Sequence, residues 1–260
     1  MQLLRHWSPG HIVGVFTDID DTLTTEGAIT PDALQAIADL KTAGLHVVPI
    51  TGRPVGWSEP FAASWPVDAI VAENGAVGLQ HTYAQGLRKL YQQDAVTRSA
   101  NLARMQNVLS LIERNVNGAE RSQDNAGRET DIAIDHSEFT HLPQHAIDEV
   151  VRMMQAAGMT ATVSSIHING WFGTHSKLTG ARWIVRELWG RDLNAEIDRW
   201  VYVGDSTNDQ VMFEHFPHSV GVANIRRFES QLTHPPRYIT QAERGAGFAE
   251  LASHLLSCLR

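Results

Sequence analysis

Cysteine is almost missing from this chain of 260 residues: Cys258 stands alone. That excludes an internal disulfide and a thiolate metal cluster, and it fits a reducing cytoplasm. Lysine is nearly as scarce, with Lys41, Lys89 and Lys177 the full set. The 21 basic residues are outnumbered by 29 acidic ones, which leaves a net charge of −8. A chain of that balance has no general surface for nucleic acid or an anionic membrane, although a small anionic ligand needs only local cations. No apolar run approaches the length of a membrane span, and Met1 to Gly10 lacks the apolar centre of a signal peptide. Repeats and low-complexity segments are absent as well. The expectation is a soluble, cytoplasmic protein whose oligomeric state the sequence leaves open.

What is present is an ordinary globular composition, 43% hydrophobic and 19% charged, long enough for one large domain or two modest ones with a sizeable core. The chain is organised around Ile12-Val-Gly-Val-Phe-Thr-Asp18-Ile-Asp20-Asp21-Thr22. An apolar, β-branched run of this kind reads as a strand buried on both faces. Three aspartates follow it at once, at the carboxyl edge of an open α/β sheet, where ligands bind. An acidic turn alone has that composition too. Yet negative charges this close repel unless protons or a cation neutralise them, so the stretch asks for a metal.

The rest of the chain supplies partners for that edge. Thr30-Pro31 starts a helix, with Leu34, Ile37 and Leu40 on one stripe and Gly44 at its end. A second buried strand, Leu45 to Ile50, stops at Thr51-Gly52-Arg53-Pro54, and the right-handed βαβ crossover puts Thr51 on the same sheet edge as Asp18. A third strand, Ala69 to Ala72, ends at Glu73-Asn74-Gly75. From about Gly86 the rhythm changes to helix, two strands, helix, two strands, with helices at 97–114 and 143–157. The α/β alternation resumes with a helix at 176–189 and a strand at 199–203 that stops at Gly204-Asp205-Ser206-Thr207-Asn208-Asp209. Short strands at 219–222 and 237–240 and a helix at 249–259 close the chain. The predicted fold is therefore α/β: a doubly wound parallel sheet formed by 1–85 and 174–260, with a smaller α+β cap inserted at 86–173.

Two acidic clusters on one sheet edge can share a hard divalent cation, Mg²⁺, which prefers oxygen ligands and leaves positions for phosphate. The Thr51 hydroxyl, the Gly52 amide and one lysine complete a phosphate cradle. Lys41 ends the first crossover helix, away from this edge, and Lys89 falls where the insertion begins. Lys177, at the start of the returning helix, is the lysine that reaches the site.

Asp18-Ile-Asp20-Asp21-Thr22, Ile50-Thr51-Gly52-Arg53, Lys177 and Gly204-Asp205-Ser-Thr-Asn208-Asp209 resemble the four ordered motifs of the haloacid dehalogenase superfamily. The insertion between the second and third motifs, with Glu73-Asn74-Gly75-Ala76, is similar to the type IIB cap group, which includes sucrose-phosphate, mannosyl-phosphoglycerate and Cof-like sugar phosphatases. The resemblance implies an Mg²⁺-dependent phosphatase acting on a small phosphorylated metabolite, a sugar phosphate, through an aspartyl-phosphate. It implies Asp18 as nucleophile and Asp20 as general acid and base. It also implies Thr51, Gly52, Arg53, Lys177 and Asn208 around the phosphate and substrate, and Asp18, Asp20 (through its carbonyl), Asp205 and Asp209 around the metal. A phosphomutase on the same scaffold and a catalytically silent metabolite-binding protein are the alternatives. Two positions depart from the pattern: Asp21 stands where glycine is most common, and Leu178-Thr179-Gly180 follows the lysine, where Cof-like members carry glycine directly.

Elsewhere the signals are weaker. Glu73 and Asn74 either shape the cleft or simply form a turn. Arg128-Glu129 reads as a solvated hairpin end, and Asp131 to Asp135 as a half-exposed strand. His136, His141 and His145 read as surface histidines, since Pro143 interrupts them. His167 and Asn169 lie on the strand re-entering the core, and Trp57 and Trp171 read as core or interface tryptophans.

Overall fold

The computed structural model describes residues 1–82 and 84–258. Six parallel strands form its central sheet, in the order Gln2–Leu3, Tyr238–Ile239, His218–Gly221, Trp200–Gly204, Gly14–Thr17 and His46–Pro49. Val15, Phe16, Val47, Val48, Val201 and Val203 are fully buried, as strands covered by helices on both faces require. Because all six strands run the same way, the residues that follow Thr17, Pro49, Gly204 and Gly221 emerge along one edge. Asp18, Thr51 and Asp205 are therefore neighbours by topology.

Beyond His46–Pro49 a parallel bridge from Ile50 to Val71 leads into an antiparallel meander, Ile70–Ala72, Val77–Thr82 and Gly86–Tyr91. Leu87, Leu90 and Tyr91 pack against the hydrophobic clusters of the parallel sheet. The strand Gly86–Tyr91 thus lies with the core, on the near side of the seam expected at 86. Sequence reasoning also passed over the helix Val55–Ser64, which contains Pro60. A proline inside a helix removes one internal hydrogen bond, so its presence argues against a helix that packing nonetheless holds.

The inserted segment builds a second layer. A four-stranded antiparallel sheet, ordered Thr160–Val163, His167–Trp171, Ile132–Asp135 and Glu120–Arg121, carries the helices Ala95–Asn115 and Gln144–Ala156. Met105, Leu109, Ile112, Ile132, Ile134, Val150, Ile168 and Trp171 form its own core. The opposite side of this sheet faces the edge that carries Asp18, so the strand Ile132–Asp135 is buried throughout and is no half-exposed strand. The closing helix runs Arg244–Cys258, and the part of the expected helix at Leu259 lies outside the described residues.

Candidate active site

Asp18 follows the strand Gly14–Thr17 and is 4% exposed. Its Oδ1 lies 3.0 Å from Nζ of Lys177, which lies 2.7 Å from Oδ1 of Asp209. Carboxylate oxygens of Asp18, Asp205 and Asp209 fall within 4.8 Å of one another. One lysine cannot neutralise three buried carboxylates. Burial raises the Asp18 carboxyl to about 7 against the pull of Lys177, with Asp209 and Asp20 adding to the rise. Burial and the neighbouring Asp18 and Asp209 push Asp205 well above the carboxylate range. Burial opposes the charge on Lys177, but Asp18 and Asp209 outweigh it and hold the ammonium protonated.

The two distal aspartates differ in kind. Asp209 has its lone pairs filled: Oδ1 accepts from Lys177 and the Tyr202 hydroxyl, and Oδ2 accepts from the amides of Asp205 (2.9 Å) and Ser206 (3.1 Å). It braces the loop and aims the lysine. Asp205 is under-partnered: Oδ2 accepts only from Asn224 at 3.2 Å, while Oδ1 is buried with no partner. A buried orphan oxygen beside a second carboxylate is what a hard, oxygen-seeking cation completes, so the residues present fit Mg²⁺. The Asp20 carboxylate stands outside this cluster, turned to Arg53 at 2.9 Å.

Lys177 is placed by local chemistry. Ser176 caps the helix Lys177–Trp189 in a reciprocal capping box with Thr179. Gly75, at φ 109°, sits against the Ser176 carbonyl and Gly180, where any side chain would collide. This contact gives Gly180 its role in the departure from the usual lysine motif. Asp21 adopts φ 52°, a left-handed conformation that aspartate tolerates, and its carboxylate meets Arg244 at 3.0 Å. Asn224 joins the two: its amide donates to the Asp21 carbonyl and to Asp205, and its oxygen accepts from the Arg244 amide. Sequence reasoning passed over Asn224. Its signal was a polar residue just past the strand His218–Gly221, on the same edge as the aspartates.

Thr51 is fully buried, and its Oγ1 accepts from the Arg53 amide at 2.9 Å, which leaves its proton to donate. Gly52 lies so close to Asn74 and Asn169 that a Cβ would stand 3.2 to 3.3 Å from their oxygens. Arg53 bridges core and cap. It holds Asp20 through Nε at 3.0 Å, Glu138 through Nη2 at 2.7 Å and Asp124 through Nη1 at 3.3 Å. Glu138 also accepts from, or pairs with, His167 at 2.8 Å. Burial opposes ionisation of Glu138, and the bonds from His167 and Arg53 overcome it, holding its carboxyl below the usual range. Asn208 accepts from Ser206 and lines the pocket beside Asp18.

The cap closes directly over these groups. Ser164, Ile166, His167 and Asn169 of the cap leave about 10 Å³ above Asp18 and Asp20, room for roughly one water. The seam is polar and buried. Glu73, at φ 50°, reaches from the core to accept from the amides of Val55, Glu129 and Thr130 and from the Thr130 hydroxyl. Asp131 accepts from Arg128 at 2.8 Å, Asn169 at 3.0 Å and Asn74 at 3.3 Å. Arg128 also donates to the Gly52 carbonyl, so it is a buried seam residue and no solvated hairpin end. His136 is buried too, bonded to Ser164 and Ser137, while His141 and His145 are exposed. Trp171 belongs to the cap core, its Nε1 donating to the His175 carbonyl, and Trp57 lies under Arg53.

The haloacid dehalogenase-like hydrolase family matches residues 15–165, more than half of the chain. The chain belongs to that family. A Thermoplasma acidophilum protein, 0175, superposes on 96% of this chain and 100% of its own, with a TM-score of 0.71 and 17% identity. A HAD/COF-like hydrolase from Plasmodium vivax covers 95% of this chain and 96% of its own, at 0.68 and 18%. The sucrose-phosphatase of Synechocystis, solved with sucrose and phosphate, covers 94% of this chain and 98% of its own, at 0.67 and 15%. At these identities the likeness is one of fold. No curated protein sequence matches the chain.

Proposed function

We propose that the protein is an Mg²⁺-dependent phosphomonoesterase for a small sugar phosphate. The observation that carries this reading is the Asp18–Lys177–Asp205 cluster, with the orphan oxygen of Asp205 at the edge where Asp18 emerges. Asp18, Asp205 and the Asp20 carbonyl would hold Mg²⁺, with Asp209 bracing them from behind. Bound there, Mg²⁺ lets an anionic carboxylate approach an anionic phosphate and offsets charge in the transition state.

Asp18 attacks phosphorus in line, and the bond to the leaving oxygen breaks as the aspartyl-phosphate forms. Asp20 gives its proton to that oxygen, then takes one from the water that attacks phosphorus and frees Asp18. Lys177 and Thr51 hold the phosphoryl oxygens, and Arg53 orients Asp20. A pocket of about 10 Å³ admits no phosphoryl group, so the cap opens for substrate and shuts water out afterwards. Sucrose and phosphate bound to the Synechocystis protein of the same fold support a sugar leaving group.

Among the described residues no helix is long and apolar enough to cross a membrane. A single exposed cysteine suits the cytoplasm, the compartment proposed here. The test is inorganic phosphate release from a panel of sugar phosphates, phosphoacids and nucleotides, with Mg²⁺ and with chelator. Turnover that persists unchanged in chelator, or in Asp18→Asn, overturns the reading.

A further inference from the structure

The leaving-group side of the site has a chemistry of its own, and its assignment rests on the phosphatase reading. Beside the sealed pocket lies a cleft of about 390 Å³ whose wall includes Asp20, Asp21, Glu26, Arg53, Glu138 and Phe139. A second cleft, of about 370 Å³, opens on the side of Lys177 and Asn208. The leaving oxygen has to lie within reach of the group that protonates it, so the leaving group departs into the cleft that contains Asp20.

That cleft accepts hydrogen bonds and has little to donate. Among the described residues Arg53 is the sole cation lining it, and each of its three nitrogens is within 3.3 Å of a carboxylate of Asp20, Asp124 or Glu138. The hydroxyls of Thr24 and Ser137 are turned inward, to the Ile19 carbonyl and the His136 ring. Arg244 meets Asp21 from outside the cleft. Phe139, 61% exposed, stands at the lip. The backbone that carries it is fixed: the Asp135 carboxylate accepts from the amides of Ser137, Glu138, Phe139 and Thr140 at 2.9 to 3.2 Å. An exposed aromatic side chain on a braced loop, beside hydrogen-bond acceptors, matches the apolar face and outward hydroxyls of a sugar ring.

We propose that Glu138 and Phe139 select an uncharged, polyhydroxylated ring as leaving group, its hydroxyls donating to Glu138 and its face on Phe139, and reject one that bears a second phosphate or carboxylate. A mutase on this scaffold has to hold a bisphosphorylated sugar in both orientations. A cleft that repels the distal phosphate turns the aspartyl-phosphate toward water.

The test compares kcat/KM for glucose 6-phosphate, glucose 1,6-bisphosphate and acetyl phosphate, the last with a leaving group too small to reach Phe139. The wild type favours the monophosphate over the bisphosphate by about tenfold or more. Glu138→Gln lowers that ratio by roughly tenfold, since the repelling charge is gone and Arg53 regains a donor. Phe139→Ala raises KM for glucose 6-phosphate about fivefold, the value of one aromatic contact. Because the ratio is taken on one preparation, a change in folded fraction cancels. Acetyl phosphate turnover with an equal or reversed sugar preference, or a Glu138→Gln ratio like the wild type's, overturns this inference and leaves the phosphatase standing. Failure to turn over acetyl phosphate or either sugar removes the phosphatase reading, and this one with it.

Discussion

Two sets of buried carboxylates lie within one layer of each other, and they use their lone pairs in opposite ways. Along the seam, Glu73, Asp131 and Asp135 are saturated, each accepting three to five hydrogen bonds from amides, hydroxyls or guanidinium groups. At the catalytic edge, Asp18 shares one lysine with Asp209, and Asp205 keeps an oxygen without a partner. A saturated carboxylate holds structure together; an under-partnered one holds repulsion that a ligand relieves. The contrast separates residues that position from residues that react, and each side can be attacked alone.

The largest effect belongs to Asp18. Asp18→Asn removes the proposed nucleophile and is expected to lower kcat by at least about 10³-fold, as for other residues that act as a unit with their neighbours. Its thermal midpoint without Mg²⁺ is expected to hold or rise, because one of three crowded charges is gone. An inactive variant that also melts early would place Asp18 on the structural side and break the contrast.

Glu73 gives the opposite result. Glu73→Ala strands the amides of Val55, Glu129 and Thr130 in the seam, and urea titration should show a loss of about 3 kcal/mol at a cost of about 1 per stranded donor. Turnover per folded molecule changes less than stability does. A third experiment joins the two sets. If Mg²⁺ is the cation proposed, then at roughly 100-fold above its dissociation constant it is expected to stabilise the protein by about 2.7 kcal/mol, read as a rise in melting temperature. Asp205→Asn is expected to abolish that rise, while Asp131→Asn keeps it. A rise that survives Asp205→Asn would move the cation elsewhere.

The sequence made the catalytic edge legible because polar residues there follow β-branched runs. Asp18, Thr51 and Asp205 each come where an apolar strand stops, and parallel topology does the rest. Lys177 was legible through scarcity. The seam was not, since its residues pair across large separations: Glu73 with Thr130, Arg53 with Glu138, Asn169 with Gly52. No local pattern marks a charge as buried, so Arg128 and Asp131 read as solvent-facing until the cap sheet was seen lying face-down on the core. The strand Gly86–Tyr91 was missed for a related reason. Its partner is a preceding hairpin strand, and Arg88-Lys89 gives it the polarity of an exposed edge.

The smallest effect is also the sharpest test of saturation. Burial lifts the Asp131 carboxyl from 3.8 to about 7, against the pull of Arg128, with Glu73 adding to the rise. Between those two values the folded state holds more protons at this position than the unfolded chain does, so stability falls as pH rises through the window from about 4 to about 7. Below it both states are protonated, and the contribution is whole. Asp131→Asn cannot titrate, and its stability should change less with pH across that window, even though the variant is weaker at every pH for loss of the Arg128 pair at 2.8 Å. Glu73 is raised by burial as well and supplies a residual slope of the same sign, so the measurement is the difference between the two pH profiles. Parallel profiles would mean that Arg128 and the two asparagines keep Asp131 ionised throughout, and that hydrogen bonds alone saturate a carboxylate in this seam.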